Sequence, residues 1–282
     1  MPELILSKAV EYFASKTQGL ADLDLERPWK WGDYEEGVRF AFFRTYEELR
    51  DLAARLGAER AGSGHPLSVA QRILSQYNAA YRDLQAVLLG VSDQDGAQTP
   101  AEGEWSLREA VIHIIETERS FFSVLYYTLE SDRLDDDRPL KIPDAAWDAI
   151  WAGDTFERVQ EKAPLSELLA YYAALHSRVI DEFLGITLEQ ISLPSMFWEK
   201  TPMPVEFRLH RFDSHLRQHT IQAEKTLGIL GLSPSEAHRL LRLIYTALAE
   251  VEGVLMGSGE LGIEKRQALA EAIRSRAQEI TG

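Results

Sequence analysis

The sequence predicts an all-α protein, and three observations carry that prediction. Nearly every long segment repeats apolar residues at i, i+3, i+4 and i+7, the spacing that lines one helical face. Helix-start signals stand in front of several of these segments. No period-two run is bounded by Asn-Gly or Asp-Gly turns, so strand signals are weak throughout.

The elements follow in order. Residues 3–19 read as a first helix, and a loop with Pro28, Trp29 and Trp31 comes next. Asp33 and Glu36 have capping-box spacing and open a helix through about Leu56. The Gly, Ser and Pro content of GAERAGSGHP marks a linker. A long helix from about Leu67 to Leu89 keeps Ile73, Tyr77, Tyr81, Leu84 and Leu88 in register. The segment VSDQDGAQTPAEGE reads as a loop, after which Ser106 and Glu109 form a second capping box for a helix to about Leu129. Residues 131–163 are a long connection with an acidic stretch, Pro139, Pro143 and a short helix around Trp147 and Trp151. A helix spans about Leu165 to Leu184, and a loop with Pro194, Trp198, Pro202 and Pro204 leads into another that ends near Gly228–Gly231. Ser233, Pro234 and Glu236 supply an N-cap, a proline at the first helical position and an acid at the third. That helix reaches about Met256, and a polar one covers roughly 263–280.

An internal similarity links the N-terminal helix pair to the pair at 67–129: helix, tryptophan loop, capping box, aromatic helix. Pairing Trp31 with Trp105 sets Arg39 where His113 stands, and pairing the caps sets Phe40 there. The first two and last two helices are thus candidates for a second, metal-free bundle, although any two amphipathic helix pairs look alike.

The chain has 282 residues, 45% apolar and 27% charged, which is globular composition and enough for one large domain or two small ones. A net charge of -15 argues against a general nucleic-acid binder and against docking on anionic lipid; the acidity reads as solubility. There are no cysteines, which excludes disulfides, thiolate-bound zinc and a cysteine nucleophile. Any thiol in the chemistry must arrive with a co-substrate. The start, MPELILSKAVEYF, lacks a basic n-region and an apolar h-region, and no apolar run reaches about 18 residues. A cytoplasmic protein acting on a small molecule is the expectation.

Three histidines stand out. His215 and His219 lie four apart in a helical run, so both imidazoles project from one face. His113 lies in the apolar helix opened by Ser106. If it faces the pair, the three imidazoles form a metal site with an open position. A single histidine in an apolar helix is, as a rule, a hydrogen-bonded core residue, and the pair alone is not diagnostic. His176 reads as such a core or edge residue, His210 points away from the pair, and His65 and His238 belong to a loop and a helix surface.

Two patterns resemble the DinB/YfiT-like superfamily of metal-binding four-helix bundles. Trp105-Ser106-x-x-Glu109-x-x-x-His113 is similar to its W-S-x-x-E-x-x-x-H, and His215-x-x-x-His219-x-x-Gln222 to its H-x-x-x-H-x-x-Q. The resemblance covers about residues 67–232 and leaves 1–60 and 233–282 as accessory helices packed on the bundle. It implies that His113, His215 and His219 hold a divalent ion such as zinc or nickel. It also implies thiol transferases or isomerases using low-molecular-weight thiols among the relatives. Many relatives have an acid after the first histidine of the pair, whereas Leu216 stands here, so a zincin-like base is missing.

Glu116 and Thr117 lie three and four residues after His113, on nearly its face. Glu116 is therefore the candidate catalytic residue, as proton acceptor or partner of His113; the alternative is an exposed helix charge. Gln222 is a partner for His219 or a helix-packing group. Trp147, Trp151, Phe197 and Trp198 fall in the long connections, as pocket walls or as packing on the bundle end.

The expected function is that of a metal-dependent transferase or hydrolase, the ion acting as Lewis acid on a small electrophile, with a thiol co-substrate as one option for the transferase. The alternatives are a metal-binding or sensing module and a structural metal in an interaction protein. Homodimer and pseudo-dimeric monomer both remain open. Because histidine ligands must be neutral, metal is expected to leave as pH falls through about 6.

Overall fold

The computed structural model describes residues 3–134 and 137–282. Met1, Pro2, Asp135 and Asp136 lie outside these, and with them the first two residues of the MPELILSKAVEYF segment and part of the acidic stretch. The chain forms α1 (Glu3–Thr17), β1 (Pro28–Trp31), β2 (Tyr34–Gly37), α2 (Val38–Gly62), α3 (Val69–Val87), the one-turn α4 (Asp93–Gly96) and α5 (Leu107–Leu134). Then come α6 (Asp144–Ile150), α7 (Phe156–Lys162), α8 (Leu165–Phe183), β3 (Pro194–Ser195), β4 (Met203–Pro204), α9 (Val205–Ile229), α10 (Glu236–Leu255) and α11 (Ile263–Thr281). The fold is all-α, and no helix of the described residues is long and apolar enough to cross a membrane.

Three local expectations are corrected. Asp33 and Glu36 do not cap a helix: they belong to the β1–β2 hairpin, in which Trp29 pairs with Glu36 and Trp31 with Tyr34. The turn is Gly32-Asp33, with Gly32 at φ +59°, a left-handed value that glycine adopts without strain. Helix α2 starts later, where the Val38 N–H donates to Arg27 O at 2.9 Å, and it runs through half of the expected linker. The cap of α10 is Ser235, whose hydroxyl accepts from the His238 N–H, two residues beyond Ser233.

The chain divides into two compact units, Met1–Leu67 with Asn78–Gly90 and Leu232–Gly282, and Ser68–Tyr77 with Val91–Gly231. In the first, α1, α2, α10 and α11 share one core that includes Phe13, Phe42, Leu49, Ile244, Leu248 and Ile273. Arg60 closes that core's edge, donating to the carbonyls of His65, Val254 and Met256. In the second, α5 packs on α8 and α9, and Tyr77 from the start of α3 joins them. Phe121 and Phe212 meet edge to face at 5.5 Å, and Phe122 meets Phe183 at 5.2 Å.

The internal likeness runs along a different pairing from the one the sequence suggests. A 3-10 turn (Asp24–Glu26) and a hairpin precede α2, just as a 3-10 turn (Gln190–Ser192) and a hairpin precede α9. In both, the first helical N–H reaches back across the hairpin: Val38 to Arg27 O at 2.9 Å, Val205 to Leu193 O at 3.0 Å. Aligned on those two valines, Glu48 and Leu52 take the places of His215 and His219. Glu48 accepts from Arg276 and Arg44 there, so that position carries ion pairs.

Candidate metal centre

The first ligand candidate is positioned by the start of α5. The Ser106 N–H donates to Glu109 Oε2 at 2.8 Å, and the Glu109 N–H donates to Ser106 Oγ at 3.2 Å. This is the expected capping box, and it satisfies two N–H groups that a helix start leaves without partners. The Ser106 hydroxyl also donates to Glu109 Oε2 at 2.7 Å, and with the Ser106 N–H it holds the Glu109 carboxyl below its ordinary value. With the start fixed, His113 falls two turns into the helix. Trp105, just before the cap, lays its ring 4.9 Å from that of His113 and stacks against His219 at 6.3 Å.

Helix α9 supplies the pair. His215 Nε2 stands 3.2 Å from His113 Nε2 and 3.1 Å from His219 Nε2. The ligating atoms of all three lie within 4.8 Å of one another. Two imidazole nitrogens on a tetrahedral zinc, each about 2.05 Å from it, stand about 3.3 Å apart. The observed separations fit such an ion.

The protonation states fit as well. His219 Nδ1 lies 2.7 Å from Gln222 Oε1, an acceptor, so Nδ1 carries the proton and Nε2 turns its lone pair to the other rings. Burial pushes His215 down to about 3, helped by the charges of His219, His113 and Arg211. Burial also lowers His219, against the opposing hydrogen bond of Gln222. Both rings are neutral at pH 7, the form that ligates.

The histidines border a cavity of about 500 Å³, further lined by Gly103, Glu104, Trp105, Arg211, Gln218 and Gln222. That volume suits a small molecule. Lys225 Nζ donates to the Glu104 carboxylate at 2.9 Å.

Glu116 is not brought to this cavity. It is exposed, and its carboxylate accepts from Gln160 Nε2 of α7 at 2.6 Å. Trp147 and Phe197 pack against Val124, Tyr127 and Ile142, away from the cavity lining. Trp151 donates to Ser123 Oγ at 2.7 Å, with Arg119 over its ring at 3.9 Å, so these tryptophans pin the long connection to α5. His176 is buried with its ring 4.7 Å from Tyr77, while His210 and His65 are exposed.

Sequence reasoning missed two groups. Arg211 lies one turn before His215, and the i, i+4 step that links the histidines reaches it too. Glu118 is fully buried and accepts from Tyr172 Oη at 2.8 Å and from Tyr77 Oη. Burial outweighs these two donors and raises its carboxyl to about 8. Its place in the apolar register of Val111, Ile115, Phe122 and Leu125 was the available signal.

Comparison with protein families matches residues 76–223 to the DinB superfamily. No curated protein and no solved structure matches the chain.

Proposed function

Because the chain belongs to the DinB superfamily, we propose that His113, His215 and His219 hold a divalent ion, zinc or nickel, in a cytoplasmic enzyme acting on a small electrophile. The observation that carries the reading is the convergence of three imidazoles on the wall of an open cavity, with His215 Nε2 at tetrahedral-ligand spacing from the Nε2 atoms of both His113 and His219. When bound, such an ion supplies Lewis acidity and lowers the pKa of a thiol or water that meets it. Gln222 fixes the tautomer of His219, and Trp105 packs against the rings of His113 and His219. With no cysteine in the chain, a thiol nucleophile is supplied by a low-molecular-weight co-substrate. Glu116 has no part in this reading, since Gln160 engages its carboxylate.

A purely structural ion is disfavoured by the packing. Phe121 on Phe212 already joins α5 to α9, and Glu118 joins α5 to α3 and α8. Elemental analysis of wild type beside His215→Ala tests the site: about one zinc or nickel per chain is expected, lost in the variant. No uptake by wild type refutes it. His113→Ala is expected to lose metal yet remain a folded bundle, as metal-free wild type does; unfolding of the variant and of metal-free wild type returns the ion to a structural role.

A further inference from the structure

Arg211 lies on α9 one helical turn before His215 and lines the same cavity. The other arginines on α9 have carboxylate partners: Arg208 pairs with Glu199 and Arg217 with Asp213. Arg211 has none among the described residues. Its Nε is buried without an acceptor, one terminal nitrogen reaches only Ser214 Oγ at 3.4 Å, and its guanidinium lies 5.7 Å from the centre of the Phe121 ring. A buried donor without a partner is costly to keep, and a guanidinium fork matches the two oxygens of a carboxylate. Glu104, the carboxylate in the lining, is engaged by Lys225. Arg211 is thus the charge of the cavity lining that has no opposite partner, which favours binding of an anion there.

We infer that Arg211 receives the carboxylate of a small anionic substrate whose reactive end meets the three histidines. The inference rests on the metal-site reading above and names its substrate class. Arg211 and His215 lie one turn apart on the same helix and line the same cavity, so the carboxylate and the reactive atom belong to one small acid. Arg211 touches the substrate away from the reacting atoms and sets specificity.

The test uses the full chain loaded with zinc, its zinc content measured for each sample. The probes are 3-mercaptopropionate and its neutral amide, 3-mercaptopropanamide, and binding is read by calorimetry and by quenching of tryptophan fluorescence. Wild type is expected to bind the acid at least tenfold tighter than the amide. Arg211→Met is expected to bring that ratio within about twofold of unity at unchanged zinc content, with Arg211→Gln behaving alike should the Met variant not fold. Zinc uptake with no acid preference in wild type, or with the same preference in the variants, overturns the anion site alone. Absence of zinc from wild type overturns the metal reading, and the inference with it.

Discussion

Glu118 shows how much one side chain can couple the core to solution conditions. Its carboxyl is raised to about 8 in the fold, against an ordinary value near 4.5. The titratable groups facing it are Tyr77 of α3 and Tyr172 of α8, with His176 beyond Tyr77; Tyr172 is itself pushed well above its ordinary value by burial. Between those two carboxyl values the folded state binds the proton and the unfolded state does not. Stability is therefore full below about pH 4.5 and falls as pH rises towards 8, by up to about 1.4 kcal/mol per pH unit from this group. Glu118→Gln keeps a neutral group of the same shape and is expected to remove that slope. Denaturant titrations of both proteins at pH 5, 6, 7 and 8 check it, and parallel slopes would show that Glu118 does not hold the proton.

At the scale of elements, the start of α5 governs where His113 stands. Ser106→Ala removes the hydroxyl that caps it and is expected to cost about 1 kcal/mol in a denaturant melt. A change below a few tenths would mean that the cap is idle. The Trp105, Ser106, Glu109 and His113 pattern was legible in the sequence because capping is local: each partner lies within one turn. The β1–β2 hairpin was not, because four-residue strands give period two almost no room and Gly32-Asp33 falls outside the Asn-Gly and Asp-Gly criterion. Glu118 and Arg211 escaped for another reason. A charge in an apolar register reads as an exposed edge until neighbouring helices are seen to cover it, as those bearing Tyr77 and Tyr172 do here. Glu116 is the converse: its spacing after His113 suited a catalytic role, and only the placement of Gln160 from α7 showed where its carboxylate goes.

For the whole molecule, the three histidines come from two helices of one unit, α5 and α9. Binding stabilises what it joins, so zinc at about 100 times its dissociation constant is expected to add about 2.7 kcal/mol to the unit that holds it. Hydrogen exchange read by mass spectrometry checks this: amides around His113 and His215 should exchange more slowly with zinc. Unchanged rates in both helices would place the bound ion elsewhere.

The division of the chain also sets an order of birth. Every residue of the histidine-bearing unit is encoded before Leu232, whereas the other unit needs Leu232–Gly282 to complete the core begun by α1 and α2. On a ribosome the later-numbered unit can finish first, while Phe13, Phe42 and Leu49 wait uncovered for α10 and α11. Translation that stalls near Gly231 therefore leaves the histidine-bearing helices made and the first two apolar helices unsheltered, which makes the N-terminal pair the segment that chaperones must guard.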